Sequence, residues 1–337
     1  MYAKVENNAV VKTMSRLPKQ HKLADGKTTG NFDKMPSSVH LKEGFCPVEE
    51  KKPKYDAAIQ TINLKTEVVG KDKVTRQYEA KDIPIAELKK ALNTLPATRP
   101  LLVCLPEAFL VFSKSGHDTL STAKHIEQYK RQISQLCKHH NIWLNAGTIP
   151  EPYNNTKYYA ASHLYNNQGE CIATYNKIHL FDVNVDDKTG SYRESDFTQA
   201  GSDVVVVESP FGKLGLTVCY DLRFSALFNA LARKGAEVIL VPSAFTMVTG
   251  QAHWQPLLAA RAIETQCYVV AAAQYGTHEN GRQTYGHSII ISPWGSTLSN
   301  LPCGTGFISA NADLEPLQKI RRDMPVQSHQ RFREHLL

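Results

Sequence analysis

The sequence predicts an α/β fold with mixed sheets, and three observations carry that prediction. Short apolar strands recur between segments of helical apolar spacing, as where Leu101–Leu105 is followed by Ile126, Tyr129, Ile133 and Leu136. Some strands are continuous apolar runs, which marks burial on both faces, whereas others lie close together like hairpin partners, so the sheet is not purely parallel. Finally, no linker divides the stretch from Tyr55 to about Gln330, so a single domain is expected over residues 54–330. With 42% hydrophobic residues the chain has material for a sizeable core.

Taken in order, residues 1–53 interleave Lys12, Arg16, Lys19, Lys22, Lys27 and Lys34 with Gly, Ser, Thr, Asn and Pro. Their short apolar stretches hold no sustained period and cannot offset chain entropy. A basic N-terminal extension is predicted there, disordered or draped on the body. The folded part opens with a strand in the AAIQTI segment and a helix carrying Ile85, Leu88, Ala91 and Leu92 on one face. The apolar run Leu101–Leu105 is a buried strand that stops at Pro106-Glu107, and the helix of Ile126, Tyr129, Ile133 and Leu136 follows. Strands are then expected in IWLNAGTI from Ile142, in ASHLYN from Ala161, and over residues 204–207, 214–218, 238–241, 268–272 and 288–291. His253 and Trp254 are expected to open a packing helix with Leu257, Leu258, Arg261 and Ile263. Trp254 reads as core, His287 as a structural histidine, and Arg261 with Glu264 as an i,i+3 pair. Residues 331–337 are a tail.

Composition narrows the function classes. The formal charge of +7 is spread along the chain without a recognition motif, so a solvated basic surface is expected rather than a nucleic-acid partner. No run of 18 or more apolar residues occurs, and the first residues lack a signal-peptide core, so no membrane partner is expected. A cytoplasmic location is the expectation, with a mitochondrial one left open by the scarcity of acids early in the chain. The seven cysteines are scattered and odd in number, which predicts reduced thiols. There is no CxxC pair and no His/Cys cluster at ligand spacing, so no metal is expected; the adjacent His139 and His140 should sit exposed near a helix end.

The chemistry centres on GKLGLTVCYDLRF, residues 212–224. Leu214, Leu216 and Val218 alternate with small or polar residues, and helical spacing begins after Phe224 with Leu227, Phe228 and Leu231. Cys219 therefore falls where a strand gives way to a helix. A thiol there would feel the helix's positive end and nearby cations, both of which favour the nucleophilic thiolate. The same position suits a small buried hydrophobe equally well. Glu107, after its buried strand, and Lys177, in YNKIHLFD, also lie at or near strand ends, where side chains distant in sequence can meet in one pocket. Together the three suit hydrolysis of an amide or a nitrile: a carboxylate takes the thiol proton, the thiolate attacks the amide or nitrile carbon, and an ammonium steadies the developing charge. Taken singly, Glu107 also suits a helix start and Lys177 a surface charge.

PEAF after an apolar strand, YNKIHLFD, and GLTVCYDLRF, in this order, resemble the three signature motifs of the nitrilase, or carbon-nitrogen hydrolase, superfamily. The resemblance covers roughly Tyr55 to Gln330. It implies a four-layer αββα sandwich and amide hydrolysis through a thioester, with no metal or organic cofactor. Glu107 would be the base, Lys177 the oxyanion support and Cys219 the nucleophile. It also implies a second glutamate, which RESDF places at Glu194, there to hold Lys177 in place and charged. An extra residue separates Lys177 from Glu194 relative to the family pattern, and a plain loop charge stays an alternative. The backbone amide of Tyr220 would add to the oxyanion site.

PSAFTMVTGQAHWQPLLAARAIETQCYVVAAAQ followed by TYGHSIIISPWG looks like the branch that hydrolyses deaminated glutathione, a metabolite-repair activity. Ser243, Gln266, Cys267 and Gln274 favour that branch over the related ω-amidases, which act on α-ketoglutaramate or α-ketosuccinamate. A binding module of the same fold is the third alternative. Substrates of both amidase kinds carry carboxylates. Arg223, at the start of the following helix, suits a bidentate grip on one, with a structural pair to Asp221 or to a neighbouring loop as its alternative. Phe245 and Thr246 are expected to line the same mouth. The small-molecule amide is the expected partner, and the resemblance suggests a homodimer or higher homo-oligomer. Ser225-Ala226 stands where the family carries Pro-Glu, and additional residues lie between Gln60 and Glu107.

Overall fold

In the strand Leu102–Cys104, Leu102 and Cys104 point into one apolar cluster and Val103 into another. The same split occurs at Trp143 and Leu144, and at Leu164 and Tyr165. Strand side chains alternate between faces, so this sheet is covered on both sides. The structure, a computed structural model, describes residues 88–332 with their side chains, except 114, 188 and 279, and only backbone elements before residue 88.

That first sheet runs in the order Ile149–Pro152, Tyr158–Tyr165, Trp143–Asn145, Leu102–Cys104, with Cys171–Asn176 also paired to Tyr158–Tyr165. Leu102–Cys104 and Trp143–Asn145 are parallel and the other pairs antiparallel. A second sheet has the order Val206–Val207, Leu214–Leu216, Val238–Leu240, Tyr268–Ala271, Ser288–Ile291, Thr297–Leu301, parallel across its two central pairs and antiparallel outside them. Both sheets are mixed, as expected.

The four layers follow from who packs on whom. Leu88 and Leu92, with Ile133, Leu136 and Cys137 of the helix Ile126–His140, cover the outer face of the first sheet. Leu164 and Tyr175 of the first sheet share one core with Leu214, Leu216, Val238, Ile239 and Leu240 of the second. Leu227, Phe228 and Leu231 of the helix Ser225–Arg233, and Trp254 and Leu258 of the helix Met247–Thr265, join that core. Each such side chain, once fully buried, contributes ~1.5–3 kcal/mol. Trp254 is core, as expected, and its indole N–H donates to His287 O at 2.8 Å. Arg261 pairs with Glu264 at 3.0 Å.

Boundaries differ where a cap or a turn overrides periodicity. The strand before Cys219 ends at Leu216 rather than Val218, because Asp221 takes the Val218 N–H at 2.8 Å. The helix expected to open at His253 opens at Met247, since the Thr246 side chain accepts the Thr249 N–H as an N-cap. Of the two adjacent histidines, His139 is exposed, whereas His140 is half-buried and its carbonyl receives the Arg99 guanidinium at 2.8 Å. The strand Cys171–Asn176 and the helix Leu314–Asp323 were not anticipated from periodicity. The described cysteines outside the site, Cys104, Cys137, Cys171, Cys267 and Cys303, are free thiols.

Residues 1–55 and 61–81 form a separate unit. Its sheet has the order Ala9–Met14, Tyr2–Glu6, Phe45–Lys51, Val74–Asp82, Gln60–Val69. The expectation of disorder over residues 1–53 falls in larger part outside the described residues; Tyr2–Glu6, Ala9–Met14 and Phe45–Lys51 within it are strands. Residues 57–59 of the AAIQTI segment and most of the tail over 331–337 also lie outside them. Among the described residues, no helix is long and apolar enough to cross a membrane.

Candidate active site

Glu107, Lys177 and Cys219 stand on segments that leave the two facing sheets, and Glu194 follows a separate hairpin of Asp182–Asn184 with Ser191–Arg193. Glu107 comes three residues after the strand Leu102–Cys104, in a turn where Ala108 has φ 55° and donates its N–H to Thr148 Oγ1 at 2.8 Å. Gln274, across the site, donates to the Glu107 carbonyl at 2.8 Å. Lys177 directly follows the strand Cys171–Asn176, and its N–H is bound by Ala160 O at 3.1 Å. Glu194 opens one 3-10 turn, Glu194–Asp196, and Cys219 opens another, Cys219–Arg223.

Lys177 Nζ is the hub. It lies 2.9 Å from Glu107 Oε1 and 2.8 Å from Glu194 Oε2, with its side chain 1% exposed. Glu194 Oε2 also accepts the Phe181 N–H at 2.7 Å, which fixes the carboxylate against the lysine. The Cys219 thiol is within hydrogen-bonding reach of Glu107, and the Ala244 N–H points at Sγ from 3.5 Å. All four side chains line one cavity of about 380 Å³.

Cys219 has φ 47°, a left-handed conformation that a side chain adopts at a cost of ~1–3 kcal/mol unless its surroundings dictate it. Here they do. The Cys219 N–H is bound by Pro242 O at 2.9 Å, and the fully buried Asp221 grips the turn from inside. Asp221 Oδ2 accepts from Val218 N at 2.8 Å and from the Tyr175 hydroxyl at 2.7 Å. Its Oδ1 accepts from His179 N at 3.1 Å and His179 Nδ1 at 2.7 Å. The carboxylate thus has four donors and no need of Arg223, which removes the expected alternative pairing.

Burial disfavours every charge in this cluster, and the outcome depends on what opposes it. For Lys177, burial is outweighed by Glu107 and Glu194, so its ammonium titrates well above the ordinary 10.5. For Glu107, burial is outweighed by the charge and hydrogen bond of Lys177, so its carboxyl stays below the ordinary 4.5. For Glu194, burial leads and the negative charge of Glu107 adds to it, so its carboxyl rises in spite of Lys177. Burial and the Glu107 carboxylate push the Cys219 thiol up against the pull of Lys177. This corrects the expectation of a helix-stabilised thiolate. The Cys219–Arg223 turn is a short 3-10 segment, the α-helix starts only at Ser225, and burial favours the protonated thiol.

The carbon-nitrogen hydrolase family profile matches residues 88–322. The chain belongs to the carbon-nitrogen hydrolase family. Among the relatives of this hydrolase, the deaminated glutathione amidase of Yersinia enterocolitica is 41% identical over 238 residues, 68% of this chain and 82% of that protein. The deaminated glutathione amidase of Dictyostelium discoideum is 38% identical over 276 residues, 79% of this chain and 94% of that protein. Of solved structures, the Caenorhabditis elegans NitFhit protein superposes with a TM-score of 0.67 at 36% identity, over 73% of this chain and 60% of that one. Saccharomyces cerevisiae Nit3, a member of branch 10 of the nitrilase superfamily, gives 0.63 at 31%, over 74% and 89%.

The four residues expected to meet substrate all line the hydrolase's cavity, in unequal ways. The Arg223 guanidinium lies over the rings of Tyr220 at 5.7 Å and Phe245 at 5.3 Å, with Nη1 3.2 Å from His253 Nδ1. Phe245 is buried against Trp254 at 4.8 Å between centroids. Thr246 is fully buried and its hydroxyl lies 2.8 Å from that of Thr249, so the helix cap already engages it. Residues that the sequence reading missed share the lining: Tyr158, Arg193 and Arg282 of this carbon-nitrogen hydrolase. Arg282 donates to Ala244 O and lies over Phe112 and Tyr192, each at 5.1 Å. A lone arginine in a polar loop carries no sequence signal. Asp221 did carry one: an acid beside an apolar run must be satisfied if buried.

Proposed function

We propose that this protein hydrolyses deaminated glutathione through a covalent thioester on Cys219. The observation that carries the reading is the Glu107–Lys177–Cys219 cluster at a cavity lined by Arg193, Arg223 and Arg282, in a chain about two-fifths identical to amidases of that name. Glu107 is ionised and the thiol protonated, so the carboxylate takes the Sγ proton as sulfur attacks the amide carbon. Lys177 and the Tyr220 N–H receive the oxyanion. Collapse breaks the C–N bond, and the proton on Glu107 passes to the departing nitrogen, which for deaminated glutathione leaves as the amine of the cysteinyl-glycine part. Glu107 then deprotonates a water that attacks the thioester, and the acid leaves as Sγ recovers its proton.

In this scheme Glu194 keeps Lys177 charged and aimed. Lys177 bridges two carboxylates, so it stays an ammonium throughout the cycle. Arg223 grips a substrate carboxylate, with Phe245 and Thr246 shaping the wall beside it. The experiment measures hydrolysis of deaminated glutathione, read as the freed dipeptide amine, against α-ketoglutaramate and a simple neutral amide, read as ammonia. The first is expected to lead by about tenfold or more in kcat/KM, a difference of about 1.4 kcal/mol in transition-state binding. A lead by α-ketoglutaramate would make the protein an ω-amidase, and no release from any of the three would leave a binding module. We place the reaction in the cytoplasm and the chain in a homodimer or larger homo-oligomer; fractionation and light scattering test these two points.

A further inference from the structure

On the outer face of the first sheet, away from the Cys219 cluster, a second cysteine meets a histidine and a carboxylate. Cys171 opens its strand exposed to solvent. His163, on the paired strand, is 4% exposed and presents Nδ1 at 3.5 Å from Cys171 Sγ. Its Nε2 lies 3.3 Å from Glu151 Oε2 on the next strand over. Lys130, from the helix Ile126–His140, closes the row at 2.6 Å from Glu151.

We propose that Cys171, His163 and Glu151 form a second nucleophilic thiol site, which takes low-molecular-weight disulfides and becomes a mixed disulfide. A buried imidazole with a thiol at hydrogen-bond distance from one nitrogen and a carboxylate at ion-pair distance from the other, out of line for a hydrogen bond, is placed to hold the thiol's proton. The two remaining thiol neighbours are weaker: Ala173 O at 3.6 Å and Thr174 Oγ1 at 3.8 Å. Thr174 Oγ1 also lies 3.1 Å from His163 Nδ1 and fixes the ring from the same side. Among the described residues no cluster of His, Cys, Asp or Glu is placed to hold a metal, so the trio is not a ligand set.

The electrostatics agree with the geometry. Burial opposes charging of both Cys171 and His163, yet their mutual contact lowers the thiol below its ordinary value and, with Glu151, raises the imidazole above its own. The other groups facing the pair are Lys130 and Glu127 on the helix, and the neutral Tyr165 and Cys137 beneath. In the reaction Sγ attacks one sulfur of the disulfide, a new S–S bond forms as the old one breaks, and the departing thiolate takes the proton from His163.

The test treats the intact protein with oxidised glutathione from pH 5 to 9 and maps each cysteine by mass spectrometry, with exposed Cys303 as the internal reference. At pH 6.5, Cys171 is expected to react about tenfold or more faster than Cys303, with a rate that levels off where that of Cys303 is still climbing. His163→Gln should bring the two rates together, and Glu151→Gln should do so in part. Equal rates and parallel pH profiles in the unmutated protein would overturn the proposal, whether or not either variant folds.

Discussion

Asp221→Asn separates the scaffold of the nucleophile from its chemistry. The side chain is fully buried and each carboxylate oxygen takes two donors: Val218 N and Tyr175 Oη on one, His179 N and Nδ1 on the other. Asparagine keeps one acceptor oxygen and turns an NH₂ toward the other two donors. Two hydrogen bonds to a charged group are lost, each worth ~1.5–3 kcal/mol, so unfolding free energy should fall by about 3–6 kcal/mol. Tyr175→Phe removes one donor from the same oxygen and should cost about half as much. Without the four-donor grip, the left-handed Cys219 turn relaxes, and a displacement of about 1 Å in Sγ is expected to lower kcat about a hundredfold. Urea unfolding at constant m gives the first quantity, and the rate of amide hydrolysis the second. If Asp221→Asn costs no more than Tyr175→Phe, the carboxylate is not what holds the turn.

Cys219→Ser and Glu107→Gln should each lower turnover by about 10²-fold or more while preserving the melting temperature to within a few degrees; retention of about a tenth of the activity in either would contradict their roles. Arg223→Lys keeps the charge and loses the fork, so kcat/KM should drop about tenfold to a hundredfold on deaminated glutathione and little on a neutral amide, whereas equal losses would mean that Arg223 only shapes the nucleophile turn. Glu107 works as a carboxylate, so activity is present above its folded pKa and lost as pH falls through it. Burial pushes that pKa up but Lys177 holds it below 4.5, so kcat/KM should stay flat from neutral pH down to the ordinary glutamate range; an acid limb centred at about pH 6 would be inconsistent with that pairing. Deleting residues 1–52 should leave turnover nearly unchanged, and a large loss would show that those residues support the active site.

The apolar runs and helical spacings of this chain were sufficient to determine most of its central elements. Runs such as Leu101–Leu105 and Val238–Val241 have few places to go except between layers, so composition alone marks them as buried strands. The site residues were legible in a different way, through the local motifs around Glu107, Lys177 and Cys219, whose order along the chain resembles that of a family. Element ends were less legible. The N-cap at Thr246 and the Asp221 grip on Val218 are single hydrogen bonds that outweigh the periodicity around them.

What only the tertiary structure decided is the sign of each electrostatic effect. Local reading placed Cys219 beside a helix and predicted a thiolate, but the dominant influences are burial and a carboxylate 112 positions away in numbering, Glu107, both of which favour the thiol. Lys177 and Glu107 are likewise 70 residues apart in sequence and hydrogen-bonded at 2.9 Å. The Cys171–His163–Glu151 row is similar: its members sit on three different strands and meet only through sheet register. Charge interactions depend on distance and on the medium between the groups, and neither quantity is a property of sequence neighbours. Residue identity and apolar period therefore determined which groups this chain has to work with, and packing decided which of them hold protons.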